Sequence, residues 1–103
     1  MKKMNNLKFG ILLGMFIWSS VQAQETPIVM PGAAATCIGC HGPQGISNSP
    51  LWPNLAGQKK DYLIKQLNDF KKGLRKDPMM NPMVVNLSEA DIEALGQYFS
   101  SLK

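Results

Sequence analysis

The sequence predicts a small all-α domain, and three observations predict it. Two stretches, 59–72 and 89–102, place apolar side chains at helical spacing. No stretch alternates apolar and polar residues convincingly enough to read as a strand. Both cysteines and the single histidine fall within five residues, Cys37-Ile38-Gly39-Cys40-His41, on what one helical turn can present together. A chain of 103 residues allows one domain at most.

The first segment is expected to lie outside that domain. Lys2, Lys3 and Lys8 form a positive region, Phe9 to Trp18 is apolar, and the small, polar run from Ser19 ends in Val21-Gln22-Ala23, an acceptable cleavage site. The apolar run is too short to cross a bilayer comfortably. Residues 1–23 therefore read as a cleaved secretory signal, 24–103 as the domain, and the periplasm as the destination. A retained anchor is the alternative, while a lipid anchor would need a cysteine that the cleavage site lacks. Three of the 11 Lys and Arg leave with the signal, so 8 basic groups face 7 acidic ones. That near-neutral balance gives no support to nucleic-acid binding. The remaining 80 residues are few for a self-sufficient core, and a large apolar cofactor would complete one.

Residues 24–31 read as an extended leader, because Pro27 and Pro31 interrupt any helix. Gly32 to Thr36 reads as a short alanine-rich helix running into the cysteine motif. Cys-x-x-Cys-His is the pattern of covalent c-type haem attachment: two thiols on one turn reach two vinyl groups of a porphyrin, and the imidazole binds the iron. A zinc site would need a fourth ligand beyond these three residues. A thioredoxin-like pair would want a βαβ setting, and a disulfide would leave His41 unexplained. From Gly42 to Gly57 the chain reads as a loop rich in Gly and Pro.

In the helix over 59–72, Tyr62, Leu63, Gln66, Leu67 and Phe70 share a face, and Gly73 is the stop. Residues 74–87, with Pro78 and Pro82, read as a second loop. Ser88 is the expected N-cap of the last helix, with Asp91 in a capping-box position and Glu89, Asp91 and Glu93 at its positive end. Ile92, Leu95, Phe99 and Leu102 form its apolar side. Gly96 costs helix stability, and its expected use is a close crossing with the segment 33–35.

These residues together resemble the class I cytochromes c, more closely the bacterial c-four/c-five type. The resemblance is carried by Cys37-Ile38-Gly39-Cys40-His41-Gly42, Asn48-Ser49, Trp52-Pro53-Asn54-Leu55-Ala56-Gly57-Gln58, Tyr62-Leu63, Gln66-Leu67, Phe70, Gly73, Arg75, Met80, Leu87-Ser88 and the helix Ile92 to Phe99. It implies the small cytochrome c fold, with helices wrapped around one covalently attached haem c and its iron. It departs from the family at the start, where Pro27 and Pro31 shorten the usual first helix. Many relatives carry two such domains, whereas this chain has one haem motif.

His41 with a methionine sulfur would give the six-coordinate iron of an electron carrier. Met30 lies in the loose leader, which leaves Met79, Met80 and Met83. In the resembled family the ligand lies eight residues before the N-cap, the spacing of Met80 to Ser88; Met83 takes a position that is aliphatic in relatives. The resemblance also places the acceptor for the other His41 ring nitrogen at the Pro50 carbonyl. Trp52 either packs on the haem or donates to a propionate, or is a core aromatic. With both axial positions filled, the expected function is electron transfer rather than catalysis. The expected partners are a donor reductase or dehydrogenase and an acceptor oxidase or reductase. A subunit of a periplasmic dehydrogenase complex and a gas-binding sensor are the alternatives. Lys59, Lys60, Lys65, Lys71, Lys72, Arg75 and Lys76 suggest a basic side for docking, or an ordinary solvated helix face.

Overall fold

The computed structural model describes residues 10, 12–24 and 26–103. The positive region expected at Lys2, Lys3 and Lys8 lies outside the described residues. From 12 to 30 the described residues form no helix or strand, and Leu12, Phe16 and Trp18 stay exposed. Among the described residues, regular structure opens with a 3-10 segment, Gly32–Thr36, after the extended Pro31. Four helices follow: α1 (Ile38–His41), α2 (Lys60–Lys71), α3 (Met80–Val84) and α4 (Glu89–Ser101). No strand occurs among the described residues, in line with the all-α expectation.

The two long helices form because their ends are satisfied as well as their faces. At the end of α2, Gly73 adopts a positive φ of 71°. Its N–H reaches the Phe70 carbonyl at 3.3 Å, while Leu74 N–H reaches Asp69 at 2.8 Å. This paired closure satisfies carbonyls the helix would otherwise leave open. At the start of α4, Ser88 and Asp91 form the reciprocal capping box that the sequence predicts. Ile92, Leu95 and Phe99 are buried on α4, Leu63 and Phe70 on α2. Ala34 joins Leu63, Leu95 and Phe99 in one core cluster, with Leu55, Leu67, Leu87 and Leu102 packed around it.

Two sequence expectations are corrected here. Gly96 does mark a close crossing, but its partner is α2: a Cβ at 96 would lie 2.7 Å from Ile64 Cγ1 and 3.3 Å from the Lys60 carbonyl. The 33–35 segment instead enters the core through Ala34, beside Leu95 and Phe99, which leaves Gly96 to α2. The second loop also contains a helix, α3, where Pro78 and Pro82 argued for none. Pro82 is its third residue, in the first turn, where a missing N–H removes no intrahelical bond.

Candidate functional site

The motif Cys37 to His41 folds as one turn. The Cys37 carbonyl accepts from Cys40 N–H at 3.2 Å and from His41 N–H at 2.9 Å. Both thiols are free and half-buried. Gly42 ends the turn at φ 92°, in close contact with the backbone of Ile46, where a Cβ would fall on the carbonyl. The following loop is lashed to itself: the Gly45 carbonyl accepts from Leu55 N–H at 2.8 Å and Ala56 N–H at 3.0 Å. Gly57 N–H reaches the Phe99 carbonyl at 3.0 Å, which ties the loop to α4. These bonds bring residues 53–56 back over the motif.

His41 is buried, and its Nδ1 lies 2.7 Å from the Pro53 carbonyl. The acceptor expected at Pro50 is therefore corrected to Pro53. Pro50 is exposed and occupies the second position of a turn closed by Trp52 N–H to the Ser49 carbonyl at 3.3 Å. Proline favours that position. The chain meets His41 three residues later, once the turn has reversed it. A carbonyl can only accept, so Nδ1 carries the proton and Nε2 is left as a lone-pair donor.

Burial pushes the Cys37 thiol up, partly offset by the Thr36 hydroxyl. That is the reverse of the lowered thiol of a redox-active Cys-x-x-Cys pair. Beside Cys40 a recess of about 340 Å³ is lined by Ile38, Gly39, Pro43, Asn48 and Trp52. Trp52 lies outside the core cluster, 37% exposed. Of the three candidate methionines, Met79 and Met83 are 59% and 45% exposed, while Met80, the first residue of α3, is half-buried. Asp77 Oδ1 accepts from Met79 N–H at 2.8 Å and Met80 N–H at 2.9 Å. Those two bonds hold its carboxyl below the usual range, with Arg75 adding a smaller charge effect.

The basic stretch is less free than its sequence suggests. Lys60 pairs with Glu93 and Lys65 with Asp69. Lys71 donates to the Leu87 carbonyl, and Arg75 lies over the Phe70 ring while donating to Gln66. Lys72 and Lys76 have no ion-pair partner among the described residues. Sequence reasoning missed Pro53, because a main-chain acceptor leaves no residue-type signal. It also missed Asp77, whose position three residues before Met80 resembles a helix N-cap.

Two free thiols on one turn, an imidazole with an available Nε2 and an adjoining recess fit a covalent haem. No three His, Cys, Asp or Glu side chains gather as a bare metal site would need among the described residues. Fold and site together define a small helical c-type haem protein. A family model described as cytochrome c matches residues 32–103. Cytochrome c4 of Pseudomonas aeruginosa is 37% identical over 100 residues, spanning 97% of this chain and 50% of that protein. The thiosulfate dehydrogenase electron acceptor of Thiomonas intermedia is 39% identical over 92 residues, spanning 88% of this chain and 41% of that protein. The crystal structure of reduced recombinant cytochrome c4 from Pseudomonas stutzeri superposes with a TM-score of 0.59 at 43% identity, over 65% of this chain and 38% of that one. The chain belongs to the cytochrome c family, as a class I c-type cytochrome of the c4 type. It spans half or less of these relatives. Family membership brings a covalently bound c-type haem with its iron.

Proposed function

We propose that this chain is a periplasmic one-electron carrier with a single haem, bound through Cys37 and Cys40 and ligated by His41 and Met80. The observation that carries the reading is the His41–Pro53 hydrogen bond of 2.7 Å, which fixes the ring and leaves Nε2 for iron. When bound, the haem supplies a one-electron iron couple whose potential a thioether ligand raises. Support for Met80 comes from its lower exposure than Met79 and Met83 and from its spacing to Ser88; its N–H, like that of Met79, is held by the Asp77 carboxylate. With His41 and Met80 both holding the haem iron, no position would stay open for a substrate. Trp52, beside Cys40, offers an apolar face and an indole N–H to the group bound there. Residues 1–23 act as the secretory signal; no helix among the described residues is long and apolar enough to cross a membrane.

A second reading is that the chain serves as the dedicated cytochrome of a dehydrogenase. The Thiomonas intermedia relative, a thiosulfate dehydrogenase electron acceptor, favours it. Co-purification with a catalytic partner would single it out.

The testing experiment uses the protein matured in a host periplasm. The haem should survive acid–acetone extraction and denaturing electrophoresis, with Gln24 as the first residue by mass spectrometry. Met80→Ala should abolish the near-infrared sulfur–ferric charge-transfer band, while Met79→Leu and Met83→Leu keep it. Haem released to solvent, or carbon monoxide bound by the native ferrous protein, would defeat the carrier reading.

A further inference from the structure

Residue 81 carries the densest side-chain hydrogen bonding near Met80, and nothing in haem attachment uses it. Asn81 Oδ1 accepts from Asp77 N–H at 2.7 Å. Its Nδ2 donates to the Phe70 carbonyl at 2.9 Å and to the Arg75 carbonyl at 3.0 Å. Asn81 N–H also donates to the Asp77 carbonyl at 3.1 Å. One amide thus grips three places: the last turn of α2, the middle of the connecting loop, and the residue whose carboxylate anchors Met80 N–H. The partners dictate the amide's orientation, because two carbonyls can only accept and an N–H can only donate.

We infer that Asn81 is a positioning residue which, through Asp77, keeps Met80 on the iron; the inference rests on Met80 being the sixth ligand. The need for a clasp follows from the local chain. Residues 72–79 contain no helix or strand, and Leu74 and Met79 are well exposed, so little apolar burial holds this segment down. α3 has five residues and is too short to be stable by itself. Val84 is buried and holds the far end of α3, so the hydrogen bonds to the end of α2 are what hold its near end, where Met80 lies. Asparagine alone offers donor and acceptor at this reach. Aspartate would set an anionic oxygen against two carbonyl oxygens, and leucine would take the partner from Asp77 N–H and the Arg75 carbonyl and leave the Phe70 carbonyl to Gly73 N–H.

The closing experiment reads the opening of the sixth position with imidazole as the probe. Imidazole binds the ferric protein only when the methionine is off, so its apparent Kd reports the fraction open. Losing several hydrogen bonds from one clasp should tighten that apparent Kd about tenfold to a hundredfold in Asn81→Leu and Asn81→Asp. The near-infrared band should weaken while far-ultraviolet circular dichroism stays native. Gly96→Ala, which strains the α2–α4 crossing away from the clasp, is the control for mere destabilisation. Met80→Ala sets the fully open limit. Should Asn81→Leu refuse to fold, Asn81→Ala carries the same test. Imidazole affinity equal to wild type in the Asn81 variants, or no tighter than in Gly96→Ala, overturns the inference while Met80→Ala still opens the site. If Met80→Ala leaves both band and affinity unchanged, the ligand reading itself fails, and the positioning role with it.

Discussion

Adding one methyl group at Gly96 tests the α2–α4 crossing most directly. A Cβ there would sit 2.7 Å from Ile64 Cγ1 and 3.2 Å from Cδ1, against about 3.5–4.0 Å for carbon atoms at rest. Cγ1 is attached to a branched carbon and cannot swing aside without changing rotamer. The Lys60 carbonyl at 3.3 Å is backbone and cannot swing at all. Overpacking of this kind costs about 1–3 kcal/mol, while replacing a helical glycine by alanine returns about 1 kcal/mol. Gly96→Ala should therefore destabilise by about 1 kcal/mol net, lowering Tm by about 4–8 °C in a domain of this size. In an Ile64→Ala background the two Ile64 atoms are gone, only the milder Lys60 carbonyl contact at 3.3 Å is left, and the helix gain remains. There the same Gly96→Ala change should stabilise, by up to about 1 kcal/mol. Guanidinium unfolding of the four proteins, followed by circular dichroism, closes the cycle. Equal destabilisation in both backgrounds, or a gain in the wild-type background, would refute the contact.

Gly42→Ala should cost roughly 3 kcal/mol or more, because the new Cβ meets the Ile46 carbonyl at a positive φ; the yield of folded haem protein measures it. Ser88→Ala should lose about 1 kcal/mol by removing the α4 cap, seen as a lower Tm. Asp91 is held below the ordinary carboxylate value mainly by the Ser88 backbone N–H, then by its side chain and by the Lys71 charge. Its contribution is thus present above the unfolded value near about pH 4 and lost as pH falls through the lower folded value. The stability gap between wild type and Asp91→Asn should accordingly close in acid, as urea titrations at neutral and low pH would show. Charge reversal at Lys72 and Lys76 should slow electron transfer to an acidic partner at low salt, with the effect fading as the Debye length shrinks below about 10 Å; stopped-flow rates that ignore both changes would leave docking to uncharged surface.

The long helices were legible because their signals are repetitive: Leu63, Leu67 and Phe70 recur along α2, and the Ser88–Asp91 pair announces α4. The Cys37–His41 cluster was legible because rare residues at fixed spacing need no tertiary information. α3 was not, since five residues carry no usable period and Pro82 reads as a breaker unless its place in the first turn is known. Pro53 was hidden for a different reason. A carbonyl belongs to every residue, and the folding of the loop, with its Ser49–Trp52 turn, decides which one reaches His41. The same limit applies to Lys60, whose charge looked available until Glu93 of α4 came alongside; the Lys65–Asp69 pair, four residues apart on α2, lies within reach of helical spacing alone.

The anchor of His41 has a genetic consequence. Its acceptor is a main-chain oxygen, and no codon change at position 53 can remove a main-chain oxygen. The bond is encoded elsewhere, in Gly42, whose missing side chain makes room for Ile46, and in the Gly45 carbonyl that lashes Leu55 and Ala56. A survey of single substitutions would therefore score the spacer glycine as indispensable and the chemically active position as forgiving. In this loop, heredity guards the space around the atom rather than the residue that owns it.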